Sequence, residues 1–298
     1  MMTASAMRRL SFLSPRATTR LAAQIATPAR QLSTVQPTAV VRNDWTREEV
    51  GELYRLPFTE LLFRAAAMHR QSFDPLEVQR CTLLSVKTGG CTEDCKYCAQ
   101  STRYKTSVKA TPMMPVMDVI EAAKRAKQAG STRFCMGTAW REMGGKKAMF
   151  RKILQMVREV RAMDMEVCCT LGMVSAEQAV QLKEAGLSAY NHNLDTSREH
   201  YSNVITTRSY DDRLQTIANV RAAGISVCCG GILGLGETEE DRIGLLTELA
   251  TMVSARGGVD PLPAPQLPTH RPQPSKAEVH RAVVSSLGFR RRTPRACQ

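Results

Sequence analysis

Three cysteines lie within eight residues of one another in the segment CTEDCKYC, at Cys91, Cys95 and Cys98. This CxxxCxxC loop supplies three thiolates, whereas a structural zinc site usually has four ligands. Three thiolates can bind three irons of a [4Fe–4S] cluster and leave the fourth iron open to another ligand. Cys95 and Cys98 could also form a CxxC redox pair. The spacing favours the cluster, because the sequence contains no second CxxC pair to complete a zinc site.

Further polar and thiol groups occur at regular places along the chain: Cys135, Cys168, Asn193 and Cys228. Each follows the end of a predicted helix by four to seven residues. We therefore predict that each lies toward the C-terminal end of its own strand, where barrels of βα units gather their active sites. Taken alone, each cysteine is more typical of a small buried core residue.

A repeated helix–strand pattern positions these residues. Helical periodicity recurs around 119–126, 150–157, 175–182 and 210–220, and short apolar runs precede or follow each segment. Strands that alternate with helices predict an α/β fold with a parallel sheet. We predict about five βα units of a (β/α) TIM-type barrel, with the last three strands missing or replaced. Capping residues predict two more helices, one after Thr46 with Glu49 and one from Glu239 after Thr238.

Composition excludes several classes of protein. No apolar run reaches the ~18 residues that a membrane span needs. The net charge of +13 comes mainly from the two ends of the chain, since residues 44–253 hold 27 basic and 26 acidic side chains. That balance disfavours a nucleic-acid binder. Ten cysteines without a secretory signal peptide read as metal ligands and core residues rather than as a disulfide framework.

Three regions are predicted from the distribution of residue types. Residues 1–34 are rich in Arg, Ser and Ala and free of acids, which is typical of a mitochondrial transit peptide and predicts location in the matrix. Residues 44–253 hold the βα pattern. Residues 254–298 contain seven of the 14 prolines and the run RRR, so we predict a disordered tail or an artefact of the gene model.

Longer strings around these residues resemble the biotin synthase family of the radical-SAM superfamily over about Val50–Met252. The strings are TLLSVKTGGCTEDCKYCAQS, RFCMGTAW, CCTLG, YNHNLDTSREHYSNVITTRSYDDRL and GGILGLGETEEDR. The resemblance implies a [4Fe–4S] cluster on the CxxxCxxC loop, with S-adenosylmethionine (SAM) chelated at the open iron. It also implies a second, [2Fe–2S] cluster on Cys135, Cys168 and Cys228. Strand alternation turns the adjacent Cys169 and Cys229 away from the lumen, and Cys81 is predicted to be a core residue.

The resemblance also implies a SAM site. Asn193 and Asp195 resemble family residues near the SAM ribose and the substrate, and Tyr97 is expected beside the adenine. Arg213 would pair with the SAM carboxylate, and the backbone at Gly234 and Gly236 would pass close to SAM. Two alternatives remain open from the residues alone: a helix-entry turn at Asn193–Asp195, and a solvated helix face for Arg213.

The implied activity is that of a sulfurtransferase, which inserts sulfur into dethiobiotin to form biotin by 5′-deoxyadenosyl radical chemistry. The implied partners are a ferredoxin- or flavodoxin-type electron donor, the iron–sulfur assembly machinery and a second copy in a homodimer. The family's fourth [2Fe–2S] ligand, an arginine in a motif like YVRLSAGR, has no counterpart here. A non-catalytic iron–sulfur remnant or interaction protein therefore stays open as a second function, and another radical-SAM enzyme as a third.

Overall fold

The computed structural model describes residues 42–252, in which strands and helices alternate along the chain. The strands are β1 (Cys81–Lys87), β2 (Arg133–Thr138), β3 (Glu166–Thr170), β4 (Ala189–Asn191) and β5 (Ser226–Cys228). The helices are α1 (Arg47–Tyr54), α2 (Phe58–Ser72), α3 (Val116–Gln128), α4 (Lys147–Ala162), α5 (Ala176–Glu184), α6 (Tyr201–Val204), α7 (Tyr210–Ala222) and α8 (Glu239–Thr251). The predicted transit peptide and the predicted tail lie outside the described residues, so both stay predictions.

The five strands form one parallel sheet in the order β1-β2-β3-β4-β5. Each strand therefore pairs with its neighbour in the sequence, with at least one helix between the two strands of every pair. This confirms the predicted α/β fold and its five βα units. Within residues 42–252, β1 and β5 each pair on one side only.

The main core lies between the outer face of the sheet and the helices α3, α4 and α5. In β2, Phe134 and Met136 alternate with less buried residues and are fully buried on this face. The facing side of α4 supplies Phe150, Ile153 and Val157 at the i, i+3 and i+7 spacing of one helical stripe. Each such buried side chain contributes about 1.5–3 kcal/mol. Cys169 belongs to this core, which confirms that it points away from the lumen.

A second cluster of buried residues surrounds Leu194 and Tyr201 and reaches Leu245 on α8. Cys229 packs against it. The predicted capping box at Thr46 and the predicted N-cap at Thr238 are both present. Thr238 also forms a capping box, as do Ser175 and Ser209 at the starts of α5 and α7. These caps satisfy backbone N–H groups that the first helical turn leaves without partners.

The sequence pattern did not predict the four-residue helix α6, which is too short to show a period. The runs LSAYNHNL and ISVCCGGIL predict longer strands than β4 and β5, which have three residues each. No helix within residues 42–252 is both long and apolar enough to cross a membrane.

Candidate functional site

The cysteine loop follows β1 and folds back on itself. Cys91 N–H donates to the Gln100 carbonyl at 3.0 Å, and Thr102 N–H donates to the Cys91 carbonyl at 2.8 Å. Cys98 N–H donates to the Cys95 carbonyl at 2.9 Å, which makes a tight turn between the last two thiols. This turn places all three cysteines on the wall of one cavity of about 190 Å³.

Asp94, between the first two of these cysteines, attaches the loop to the segment before α7. Its carboxylate accepts from Thr206 N–H at 2.9 Å and Thr207 N–H at 3.2 Å, and its own N–H donates to the Thr207 hydroxyl at 3.1 Å. Hydrogen bonds from Thr206 and Thr207 hold the pKa of Asp94 at about 2, although partial burial opposes them. The carboxylate is therefore ionised at neutral pH, and the loop is held by charge-assisted bonds.

A buried ion pair lies on the wall of the same cavity. Asp195 follows β4 with a φ of 69° and is 2 % exposed. One of its carboxylate oxygens forms an ion pair with Arg213 and also accepts from the Tyr97 hydroxyl at 2.5 Å. Burial raises the pKa of Asp195, and Arg213 and Tyr97 oppose that shift. Arg213 also donates to the Tyr201 hydroxyl at 2.7 Å and to the Asn193 carbonyl.

The structure brings together most of the predicted SAM residues. Tyr97, Asn193, Asp195 and Arg213 all line the cavity with the three cysteines. The alternative of a solvated helix face for Arg213 is wrong, because its side chain is buried. Gly234 and Gly236 are not among the residues that line the cavity. Their left-handed backbone instead forms a turn in which Gly234 N–H donates to the Glu237 carboxylate at 2.8 Å.

A second group of thiols lies on the inner face of the sheet. Cys135 and Cys168 are direct partners in the β2–β3 register, and Cys228 lies opposite Asn191 in the β4–β5 register. The Cys168 thiol hydrogen bonds with both Cys135 and Cys228. These bonds and burial raise the pKa of Cys168, whereas the bond from Cys168 lowers the pKa of Cys228 to about 7.

Two predictions about these cysteines need correction. Cys135 and Cys168 are each the third residue of their strand, so they lie in the middle of β2 and β3 and not toward the C-terminal ends. Cys228 does end β5. Cys81 is not a core residue: it is half-buried, pairs with Arg133 in the β1–β2 register, and its thiol lies 3.8 Å from the Gln79 amide oxygen.

The sequence did not single out three further residues that line the cavity: Glu93, His192 and Arg208. All three are buried. Burial and the charges of Arg208 and Arg213 lower the pKa of His192 well below its usual value, so this ring is neutral at pH 7. For these three residues the sequence offered one signal, which is the position of the charged Glu93 between two cysteines.

The donor set fits iron–sulfur chemistry. Among residues 42–252, no three His, Cys, Asp or Glu side chains surround a single point as the ligands of one metal ion do. An iron–sulfur cluster makes a different demand, because its thiolates are spread over several irons: one on each iron of a [4Fe–4S] cluster and two on each iron of a [2Fe–2S] cluster. The three loop thiols on one cavity wall suit one such cluster, and the three thiols on β2, β3 and β5 suit another.

Comparison with known proteins identifies the family. The profile of the radical SAM superfamily matches residues 85–249, more than half of the chain. The chain therefore belongs to the radical SAM superfamily. A solved methylornithine synthase shares the fold, with a TM-score of 0.59, 18 % identity, and coverage of 70 % of this chain and 61 % of that one.

Within that superfamily, the sequence is similar to those of biotin synthases. It is 63 % identical over 214 residues to "Biotin synthase" of Schizosaccharomyces pombe, covering 72 % of this chain and 59 % of that protein. It is also 63 % identical over 213 residues to "Biotin synthase, mitochondrial" of Arabidopsis thaliana, covering 72 % of this chain and 56 % of that protein. The chain thus spans somewhat over half the length of these relatives. Membership of the superfamily implies a [4Fe–4S] cluster and SAM as cofactors.

Proposed function

We propose that this protein is a sulfurtransferase that inserts sulfur into dethiobiotin to form biotin. One observation carries the proposal: the three CxxxCxxC thiols share a cavity with Tyr97, Asn193 and Asp195, and a second trio of thiols meets on the inner face of the same sheet. The identity to biotin synthases supports this substrate.

Cys91, Cys95 and Cys98 would hold the [4Fe–4S] cluster, and Cys135, Cys168 and Cys228 would hold a [2Fe–2S] cluster. When bound, these groups supply the 5′-deoxyadenosyl radical from SAM and the sulfur atom, respectively. The protein's part is to bind and orient the organic ligands and to keep water away from them.

The cavity residues have distinct tasks in this proposal. The Asp195 carboxylate would accept hydrogen bonds from the SAM ribose hydroxyls, with Asn193 beside it, a use that suits a buried carboxylate already fixed by Arg213 and Tyr97. Arg213 would orient Asp195, and its charge would also attract the carboxylate of SAM. The Tyr97 hydroxyl donates a hydrogen bond to Asp195, and part of the Tyr97 ring is exposed, so that a ligand could stack on it.

The test is anaerobic reconstitution of the full chain with iron and sulfide, followed by incubation with SAM, dethiobiotin and a low-potential reductant. We expect both cluster spectra, cleavage of SAM and formation of biotin. Ala at Cys135, Cys168 or Cys228 should remove only the [2Fe–2S] spectrum, whereas Ala at Cys91 should remove the other. An unchanged [2Fe–2S] spectrum in any of the first three variants would contradict the shared cluster.

Location and partners complete the proposal. The "mitochondrial" label of the Arabidopsis relative supports location in the mitochondrial matrix. The expected partners are a ferredoxin- or flavodoxin-type donor, the iron–sulfur assembly machinery and a second copy of the chain. A fusion of residues 1–43 to a fluorescent protein should co-localise with mitochondria, and a diffuse signal would contradict the location.

A further inference from the structure

Arg208 lines the cavity, and none of the roles proposed above makes use of its charge. It lies directly before the N-cap of α7, and its side chain is 8 % exposed. Its Nε and one terminal nitrogen are buried without a hydrogen-bond partner. A buried guanidinium is costly unless an opposite charge compensates it, so its position calls for a nearby anion.

Glu93 compensates Arg208 only in part. Its carboxylate oxygen Oε1 lies 3.6 Å from Arg208 Nε and 3.3 Å from Arg141 Nε. Two guanidinium groups therefore share one buried carboxylate, so Glu93 alone does not balance the charge of Arg208. The other carboxylate oxygen accepts from the Thr207 hydroxyl, so Glu93 is fixed from the residue beside Arg208. Glu93 and Arg208 are 3 % and 8 % exposed, so solvent screens this pair little, whereas Arg141 is 39 % exposed.

Arg213 is arranged differently. It forms an ion pair with Asp195, and its other nitrogens donate to Tyr201 and to the Asn193 carbonyl. Its charge is therefore matched within the protein. The uncompensated charge on the cavity wall belongs to Arg208, which lines the cavity together with the three loop cysteines.

We propose that Arg208, held in place by Glu93, supplies the positive charge that stabilises the reduced [4Fe–4S] cluster on Cys91, Cys95 and Cys98. The inference rests on the proposed function, in which those cysteines hold the cluster. A cubane bound by three thiolates is a net anion and becomes more negative when it accepts an electron. A nearby cation favours that reduced state, and a nearby anion disfavours it; net charge is one of the known determinants of cluster potential.

The experiment is an EPR-monitored redox titration of the reconstituted full chain. Arg208→Gln should shift the midpoint potential of the [4Fe–4S] couple to a more negative value, and Arg208→Lys should restore most of the shift. Glu93→Gln should shift the potential in the opposite direction, because it removes the anion that offsets Arg208. Arg103→Gln is the matched control. Arg103 follows the same loop but is exposed, so its removal should leave the potential unchanged.

The outcomes separate the two proposals. A wild-type chain that assembles no [4Fe–4S] cluster overturns the proposed function and this inference with it. A normal wild-type cluster whose potential is unchanged in both Arg208→Gln and Glu93→Gln overturns the inference alone. If Arg208→Gln fails to assemble a cluster, Glu93→Gln still decides, since only a shift to a more positive potential supports the inference.

Discussion

Asp195 and Arg213 form an ion pair on the cavity wall that is shielded from solvent. Their ion pair lies between the Tyr97 and Tyr201 hydroxyls, and both side chains are almost fully buried. In a buried pair, removal of one partner leaves the other as an isolated charge, which costs far more than the pair itself contributes. The arrangement therefore fixes both residues at once.

We expect Asp195→Asn to lower the free energy of unfolding of the apo protein by about 3 kcal/mol, because Arg213 keeps its charge without a partner. The measurement is urea denaturation followed by circular dichroism. Asp211→Asn is the control. It breaks a pair with Arg198 of similar length, 2.7 Å, but Asp211 is 75 % exposed, so the loss should stay below about 1 kcal/mol. Equal losses in both variants would contradict the role of burial.

The lowered pKa of Asp94 predicts that the free energy of unfolding depends on pH. Its pKa is about 2 in the folded protein and near its ordinary value of 3.8 in the unfolded chain. The unfolded state therefore binds the proton first, so this group's contribution is complete above about pH 4 and is lost as the pH falls toward 2. Urea titrations at pH 5 and pH 3 measure how much free energy of unfolding is lost between the two pH values. This loss should be smaller for Asp94→Asn than for wild type. Asp241 has a pKa of about 2 as well, so some acid sensitivity should remain. Identical pH dependence in variant and wild type would count against the prediction.

The sequence identified the chemistry of this site better than its electrostatics. Residue type and spacing were enough to select the loop cysteines, Cys135, Cys168, Asn193 and Cys228. Asp195 and Arg213 were selected only through the resemblance to a known family. The sequence could not show that Arg213 is buried, because its partner Asp195 lies 18 residues earlier in a loop after β4. Glu93, His192 and Arg208 were missed for the same reason: burial of a charged or polar side chain is set by packing between distant segments.

Among the elements, the loop after β3 is held very close to the loop after β2. Gly172 has a φ of 79°, and a Cβ atom there would overlap the carbonyl oxygens of Arg141 and Trp140. Met143 N–H and Met173 N–H also exchange backbone hydrogen bonds between these loops, with Met173 and Arg141 as acceptors. The two loops form adjoining parts of the cavity wall, so their approach sets its shape.

We expect Gly172→Ala to destabilise the protein by about 1–3 kcal/mol more than Gly145→Ala. Gly145 has a similar φ of 71° but no atom within 4 Å of the added methyl group. The control therefore isolates the cost of the left-handed backbone, about 1 kcal/mol, from the cost of overlap. Thermal unfolding of both variants gives the comparison, and equal melting temperatures would show that the loops can separate without penalty.

Elements were predictable where local signals agree. Apolar periodicity and capping residues located α3, α4, α5, α7 and α8, since these depend on neighbours along the chain. The lengths of β4 and β5 could not be predicted from the sequence pattern. Apolar residues beyond these strands, such as Leu194, are buried in the second core cluster without being in a strand. Apolar composition reports burial, and it does not distinguish a strand from a buried loop.

At the scale of the whole molecule, α1 packs against α8 and so joins the first and last described helices. Two kinds of contact connect them. Arg55 forms exposed ion pairs with Glu239 and Glu240 at 2.8 and 2.7 Å. Ile243 is buried on α8, next to Gly51 of α1.

We expect the apolar contact to provide most of the stability of this interface. Ile243→Ala should cost about 2–5 kcal/mol in a urea titration. Arg55→Ala should cost less than about 1 kcal/mol, because exposed ion pairs are screened by solvent and salt. A larger loss for Arg55→Ala, reduced by added salt, would show that the ion pairs hold the two helices together.

The sequential strand order has a consequence for how the chain folds. Each strand needs only the βα unit before it, so the sheet can grow from β1 to β5 as successive units leave the ribosome. Contacts between segments close in sequence form fast, because little loop entropy is lost in each step. The packing of α1 on α8 is the exception, since nearly 200 residues separate the two helices. Because of this separation, we expect the contact to form after the pairing of neighbouring strands.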